Sequence, residues 1–233
     1  MNKLMMVVGA LALAGVVAGC ASGNAGEDKV AAWQKDRAPV ELLKSSISVK
    51  AAGVITEALD VAPYGIYKSV ADKVDKAAVM DRYRKIYLGY VADIQEMEKQ
   101  GKSRQEAIKI EMDQIRASEG GAETIAKLQE YLRISKESNF EAIKAWCVKM
   151  DEDISAMLEK FSNEAPNAQS QIVEIAQKEG GMAALTIPKQ GKDDLAYIGD
   201  QLADAGKGLA LYKEMVDADE KAAQMQADYP VEG

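Results

Sequence analysis

Apolar positions recur along this chain with a helical rhythm and almost no strand-like alternation. Phe140, Ile143, Cys147, Met150, Ile154, Met157 and Phe161 stand three and four residues apart in turn. Leu195, Ile198, Leu202, Ala205, Leu209, Tyr212 and Val216 repeat that spacing, and Met80, Tyr83, Tyr87, Tyr90, Ile94 and Met97 follow it again. Each row puts one apolar stripe on a single helix face, and helices with matching stripes pack at shallow crossing angles. The rows fit an extended coiled coil with an outside partner, or a bundle whose helices satisfy one another. Three comparable stripes in one chain favour the bundle. The expected fold is all-α: an elongated bundle of about five to six helices with heptad-like seams.

Helix boundaries follow from proline, glycine and capping residues. A first helix is expected from Pro39 to about Val61, its seam of Leu43, Ile47 and Val54 weakened by Lys50. A second covers about Tyr64 to Gln100, bent near Ala77, and Gly101 stops it. Ser103-Arg104-Gln105-Glu106 has the spacing of a capping box for a third helix, which closes at Glu119-Gly120-Gly121. A long helix is expected from Ala122 to Asn163, ended by Pro166, then a short one from Asn167 to Lys178, ended by Glu179-Gly180-Gly181. An irregular stretch with Pro188 and Gly191 precedes a last helix over Asp193 to Ala227. The two Glu-Gly-Gly segments also fit a duplicated helix pair, although repeated use of glycine as a helix stop explains them equally well.

The N-terminus has a different pattern. Lys3 precedes the uncharged run Leu4 to Val17, 14 residues long. That is too short to span a bilayer, which takes about 20 apolar residues, but suits a signal-peptide core. Val17-Ala18-Gly19-Cys20 follows, then Ala21-Ser22-Gly23. This order resembles the bacterial lipobox, with valine where leucine is commoner. The resemblance covers residues 1–23 only. It implies diacylation of Cys20, cleavage just before it, and membrane attachment through the N-terminal lipid. Ala21, where an aspartate would imply inner-membrane retention, implies the outer membrane of a Gram-negative host. The expected organisation is a signal peptide (1–19), a lipidated cysteine and flexible tether (20–38), the helical bundle (39–228) and a short tail (229–233).

Composition narrows the chemistry. Hydrophobic residues make up 48% and charged residues 28% of the 233, which suits a chain that folds around a core. There is no histidine, which removes Ser-His-Asp and Cys-His catalysis and histidine-ligated metal sites. The net charge of −8 opposes nucleic acid, and no basic patch interleaves with aromatics. With Cys20 lipidated, Cys147 stands alone and no internal disulfide forms. Cys147 sits on a seam beside Trp146 and reads as a buried small hydrophobe, not a reactive thiol.

Some residues invite a functional reading. Tyr83, Tyr87 and Tyr90 could line a groove, or simply fill the core with their hydroxyls at its edge. Gly199, Gly206 and Gly208 interrupt a strong helix, and close approach of another backbone, next to Trp146 or a tyrosine, would use the room they leave, with a hinge or a small ligand cleft as the functional alternative. Gly206-Lys207-Gly208 lacks the spacing and the Ser or Thr of a phosphate loop. The candidate binding site is therefore Tyr83, Tyr87 and Tyr90 against Gly199 and Gly206. Acidic clusters at Asp151 to Asp153 and Asp217 to Glu220 fall on helices, while Asp193-Asp194 suits a helix N-terminus. None has the loop that calcium needs. No catalytic residue, metal or cofactor is expected. The expected function is a membrane-anchored, non-enzymatic helical module that binds or spaces an envelope protein partner. A carrier for an apolar or aromatic small ligand, and an envelope enzyme working through carboxylates, are the alternatives.

Overall fold

A computed structural model of the protein describes residues 28–37 and 63–232. The helix expected over 39–61 and the lipobox cysteine, Cys20, lie outside the described residues. Among the described residues all regular secondary structure is α-helix, in seven helices, with no strand. These are α1 (Lys29–Asp36), α2 (Pro63–Ala78), α3 (Asp81–Lys99), α4 (Arg104–Ala117), α5 (Gly121–Glu137), α6 (Phe140–Glu179) and α7 (Ala183–Met225).

The frame is an antiparallel hairpin of α6 and α7, 40 and 43 residues long, or about 60 and 65 Å at 1.5 Å rise per residue. Their seams face each other in opposite directions. Cys147, Met150 and Ile154 meet Ala205, Leu209, Tyr212 and Val216, with Tyr67, Val70 and Val74 of α2 and Val30 and Trp33 of α1 closing the same core. Further out, Met157 and Phe161 meet Leu195, Ile198 and Leu202. At the other end α3, α4 and α5 form a head around the C-terminal end of α7. Its core holds Tyr87, Tyr90, Ile94, Leu128 and Tyr131. The three heptad rows are thus the bundle's inner faces.

Several boundaries differ from the sequence expectation. The bend near Ala77 is a break at Val79-Met80 that separates α2 from α3. The expected long helix from Ala122 is two, because Asn139 caps α6 with its side chain on the Ala142 amide at 3.1 Å. Pro166 does not end α6. It lies on the exposed face, so water can meet the Ser162 carbonyl it leaves unbonded, while Ala168, Ile172 and Ala176 continue the buried face. Pro188 and Gly191 likewise lie inside α7, where Gly191 admits the Ile172 side chain. The Ser103 cap was legible: its hydroxyl accepts from the Glu106 amide.

Candidate functional site

α1 lies within the stretch expected to be a flexible tether, yet it is docked. Val30 and Trp33 are both buried. The Trp33 ring fills the notch left by Gly208, where a Cβ would lie 2.5 Å from its Cζ2, and its indole N–H donates to the Asp204 carbonyl at 3.1 Å. Arg37 lies over the same ring, 5.5 Å from its centroid, and pairs with Asp75 of α2 at 3.0 Å.

A chain of ion pairs runs from the start of α1 into the head. Asp28 caps α1 through the Val30 amide at 3.0 Å and accepts from Lys85 at 2.6 Å. Lys85 also meets Asp81 at 2.7 Å. Asp81 accepts from Arg84 at 2.7 Å, and Arg84 clasps Asp219 of α7 with Nε at 2.7 Å and Nη2 at 3.1 Å. Tyr131 of α5 donates to Asp219 at 2.7 Å. The Arg84 side chain is only 4% exposed. Burial works against its charge, but Asp219 more than offsets this and the guanidinium pKa rises. Lys85 holds the Asp28 carboxyl down at about 2. The arrangement ties α1, α3, α5 and α7 together as a strut of mutually hydrogen-bonded charges. Beside it opens a cleft of about 370 Å³, lined by Leu88, Leu211 and Met215 together with Asp28, Lys29 and Lys85.

The structure does not bring the candidate tyrosines and glycines together. Tyr87 and Tyr90 are buried in the head, and their hydroxyls donate to the chain's own C-terminal segment. Tyr87 reaches the Tyr229 carbonyl at 3.1 Å and Tyr90 the Pro230 carbonyl at 2.8 Å. Burial pushes the Tyr90 phenol up to about 12 and raises Tyr87 as well. Tyr83 is half-buried at the edge of the same core. The tail is held from other sides too: Tyr229 is buried, Arg104 lies 4.8 Å above its ring centroid, and Gln129 donates to the Val231 carbonyl at 3.2 Å. A cleft of about 630 Å³ separates this tail from α4, with Arg104, Lys109, Arg116 and Asp228 among its walls.

Gly199 faces the Phe161 ring of α6, while a Cβ at Gly206 would meet no atom within 4 Å. Gly206 lies about 20 Å along α7 from Asp219, where α3 makes its ion pair. The notches at Gly199 and Gly208 are thus filled, though by the side chains of Phe161 and Trp33 and not by another backbone beside Trp146 or a tyrosine. Cys147 is buried as a free thiol, and burial pushes its pKa up. Two acidic clusters bind lysines across the hairpin: Asp151 meets Lys213 at 3.1 Å, and Glu220 meets Lys144 at 2.5 Å. Asp193-Asp194 does not start a helix but sits inside α7, and burial raises the Asp194 pKa.

Among the described residues no helix is long and apolar enough to cross a membrane, and no three Cys, Asp or Glu side chains are grouped to hold a metal ion. No protein-family model, curated protein or solved structure matches the chain. Sequence reasoning missed the α1 dock, the strut and the tail seat. The local signals for α1 were Asp28 as an N-cap and Val30 and Trp33 three residues apart. Arg84 and Asp219, 135 residues apart, carry no pattern that pairs them.

Proposed function

We propose that the chain is a lipid-anchored protein of the bacterial envelope, whose helical body binds or spaces a protein partner and performs no catalysis. The observation that carries this reading is the ordered signal of Lys3, the apolar run and Val17-Ala18-Gly19-Cys20. Two or more acyl chains on Cys20 give stable anchoring where one is marginal. Ala21 directs the anchored protein to the outer membrane of a Gram-negative host. The docked α1 supports a role as a spacer. Asp28 is eight residues from Cys20, a span of at most about 28 Å, so an anchored body stays near the bilayer. The occupied notches and the tyrosine hydroxyls committed to the tail favour a surface-binding module over an internal carrier.

The test is crosslinking in intact envelopes followed by pull-down. The reading expects a protein partner at fixed stoichiometry, lost when Cys20→Ala releases the chain from the membrane. Copurification of a stoichiometric small molecule with no protein partner would replace this reading with the carrier.

A further inference from the structure

The C-terminal tail lies on the head as an extended peptide lies on a receptor. Four successive tail carbonyls each accept a hydrogen bond from a side chain of the head. Tyr87 and Tyr90 of α3 donate to those of Tyr229 and Pro230, Gln129 of α5 to that of Val231, and Arg116 of α4 to that of Glu232 at 3.3 Å. Beyond Tyr229 the tail makes no backbone–backbone hydrogen bond among the described residues. Carbonyls are present in any peptide, so the choice of segment rests on what its side chains meet. Tyr229 is buried, its hydroxyl donates to Glu98 at 3.2 Å, and Val231 packs on the head core. Ahead of them Asp228 pairs with Arg104 at 3.1 Å.

Two features make this seat exchangeable. The tail follows a short turn in which the amides of Asp228 and Tyr229 both bond the Met225 carbonyl, so it can leave without opening α7. It also fills only part of the groove, because the cleft of about 630 Å³ between it and α4, where Ile108 and Met112 lie beside Pro230, stays open. A tethered tail competes at high effective concentration, so a segment from another molecule replaces it only by gaining more contact. The open cleft supplies room for that contact.

We propose that the groove between α3, α4 and α5 is the docking site for a protein partner, and that the chain's own tail holds it until the partner's segment displaces it. The segment is extended and carries the chemistry of the present occupant: an acidic residue for Arg104, then an aromatic residue, a proline and an aliphatic residue. A further apolar side chain fills the cleft beside Ile108 and Met112. The inference rests on the reading of the body as a protein-binding module and deepens it by naming the surface and the kind of segment it takes.

The test has two arms. In the first, a fluorescein-labelled peptide of residues 226–233 is titrated by anisotropy against the full chain and against two forms with the tail released, Tyr229→Ala and a deletion of 229–233. The released forms should keep their helical circular dichroism and bind the peptide at least tenfold more tightly than the full chain. Adding Tyr87→Phe/Tyr90→Phe should lower that affinity at least tenfold, and the peptide carrying Tyr229→Ala should not bind. No binding, equal binding by full and released chains, or loss of helix on release would make the tail a fixed part of the core and overturn the proposal. In the second arm, a benzophenone amino acid replaces Gln105, exposed on the cleft wall, and the full chain is irradiated in isolated envelopes. Mass spectrometry should place the crosslink in another protein, on a segment with an acidic residue ahead of an aromatic–proline pair, and excess tail peptide should abolish it. A crosslink confined to the chain's own tail, to lipid or to a segment without that pattern would overturn the proposal. A partner recovered by pull-down while position 105 stays silent would overturn this site and leave the proposed function standing. A crosslink of the expected kind on a chain with unmodified Cys20 would sink the anchoring and leave the site.

Discussion

Gly206 and Gly208 lie two residues apart on α7, and the structure gives them opposite responses to one added methyl group. A Cβ at Gly206 meets nothing within 4 Å, so Gly206→Ala should gain only helix propensity, about 0.5–1 kcal/mol. At Gly208 the same Cβ would lie 2.5 Å from Trp33 Cζ2 and 3.0 Å from Cε2 and Cη2, well inside van der Waals contact. The ring must move. Displacing it costs part of the burial of a large side chain, about 1.5–3 kcal/mol, and strains its hydrogen bond to Asp204, worth about 1 kcal/mol. Gly208→Ala should therefore weaken α1 docking by about 1–3 kcal/mol, since the propensity gain in α7 is the same whether α1 is docked or not. The loss is local, because α1 can leave while the hairpin stays packed. Urea titration followed by circular dichroism reads the bundle, and Trp33 emission in a Trp146→Phe background reads α1. Gly208→Ala should give red-shifted emission while helix content holds, and Gly206→Ala should raise the unfolding midpoint. Equal stabilisation by both substitutions, with Trp33 emission unchanged, would refute the notch.

Other expectations follow from the buried charges and the tail. Arg84→Met leaves the Asp81 and Asp219 carboxylates without their guanidinium and should destabilise the fold by about 3–5 kcal/mol in denaturant titration; Asp219→Leu added to it should recover part of that loss. Asp28 has its pKa lowered to about 2 in the fold, below its ordinary 3.8, so its contribution is present above about pH 4 and fades as pH falls toward 2. Trp33 emission should therefore shift red over that window, and Asp28→Asn should remove this component of the acid transition. Tyr90→Phe loses the bond to the Pro230 carbonyl and should cost about 1 kcal/mol in thermal melts, with faster proteolysis after Asp228.

The parts of this fold that repeat with a period of seven were readable in the sequence. Buried Leu195, Ile198, Leu202, Ala205, Leu209, Tyr212 and Val216 are one face of α7, as their spacing requires. Prolines misled, because Pro166 stops a helix only where its freed carbonyl has no water and no buried face continues past it. The candidate site was not legible because it depends on which helices are neighbours. A tyrosine stripe shows its face but not what covers it, and Tyr87 and Tyr90 are covered by a C-terminal segment that no periodic signal tied to α3. The same holds for Trp33, whose partner glycine lies far along the chain.

We propose that lipid on Cys20 holds the docked helical body at the envelope membrane. Mass spectrometry of the protein purified from membranes tests this most directly. The account predicts that residues 1–19 are missing and that the N-terminal peptide begins at Cys20 with the added mass of two or three acyl chains. A chain that retains residues 1–19, or begins at Cys20 without acyl mass, would contradict it.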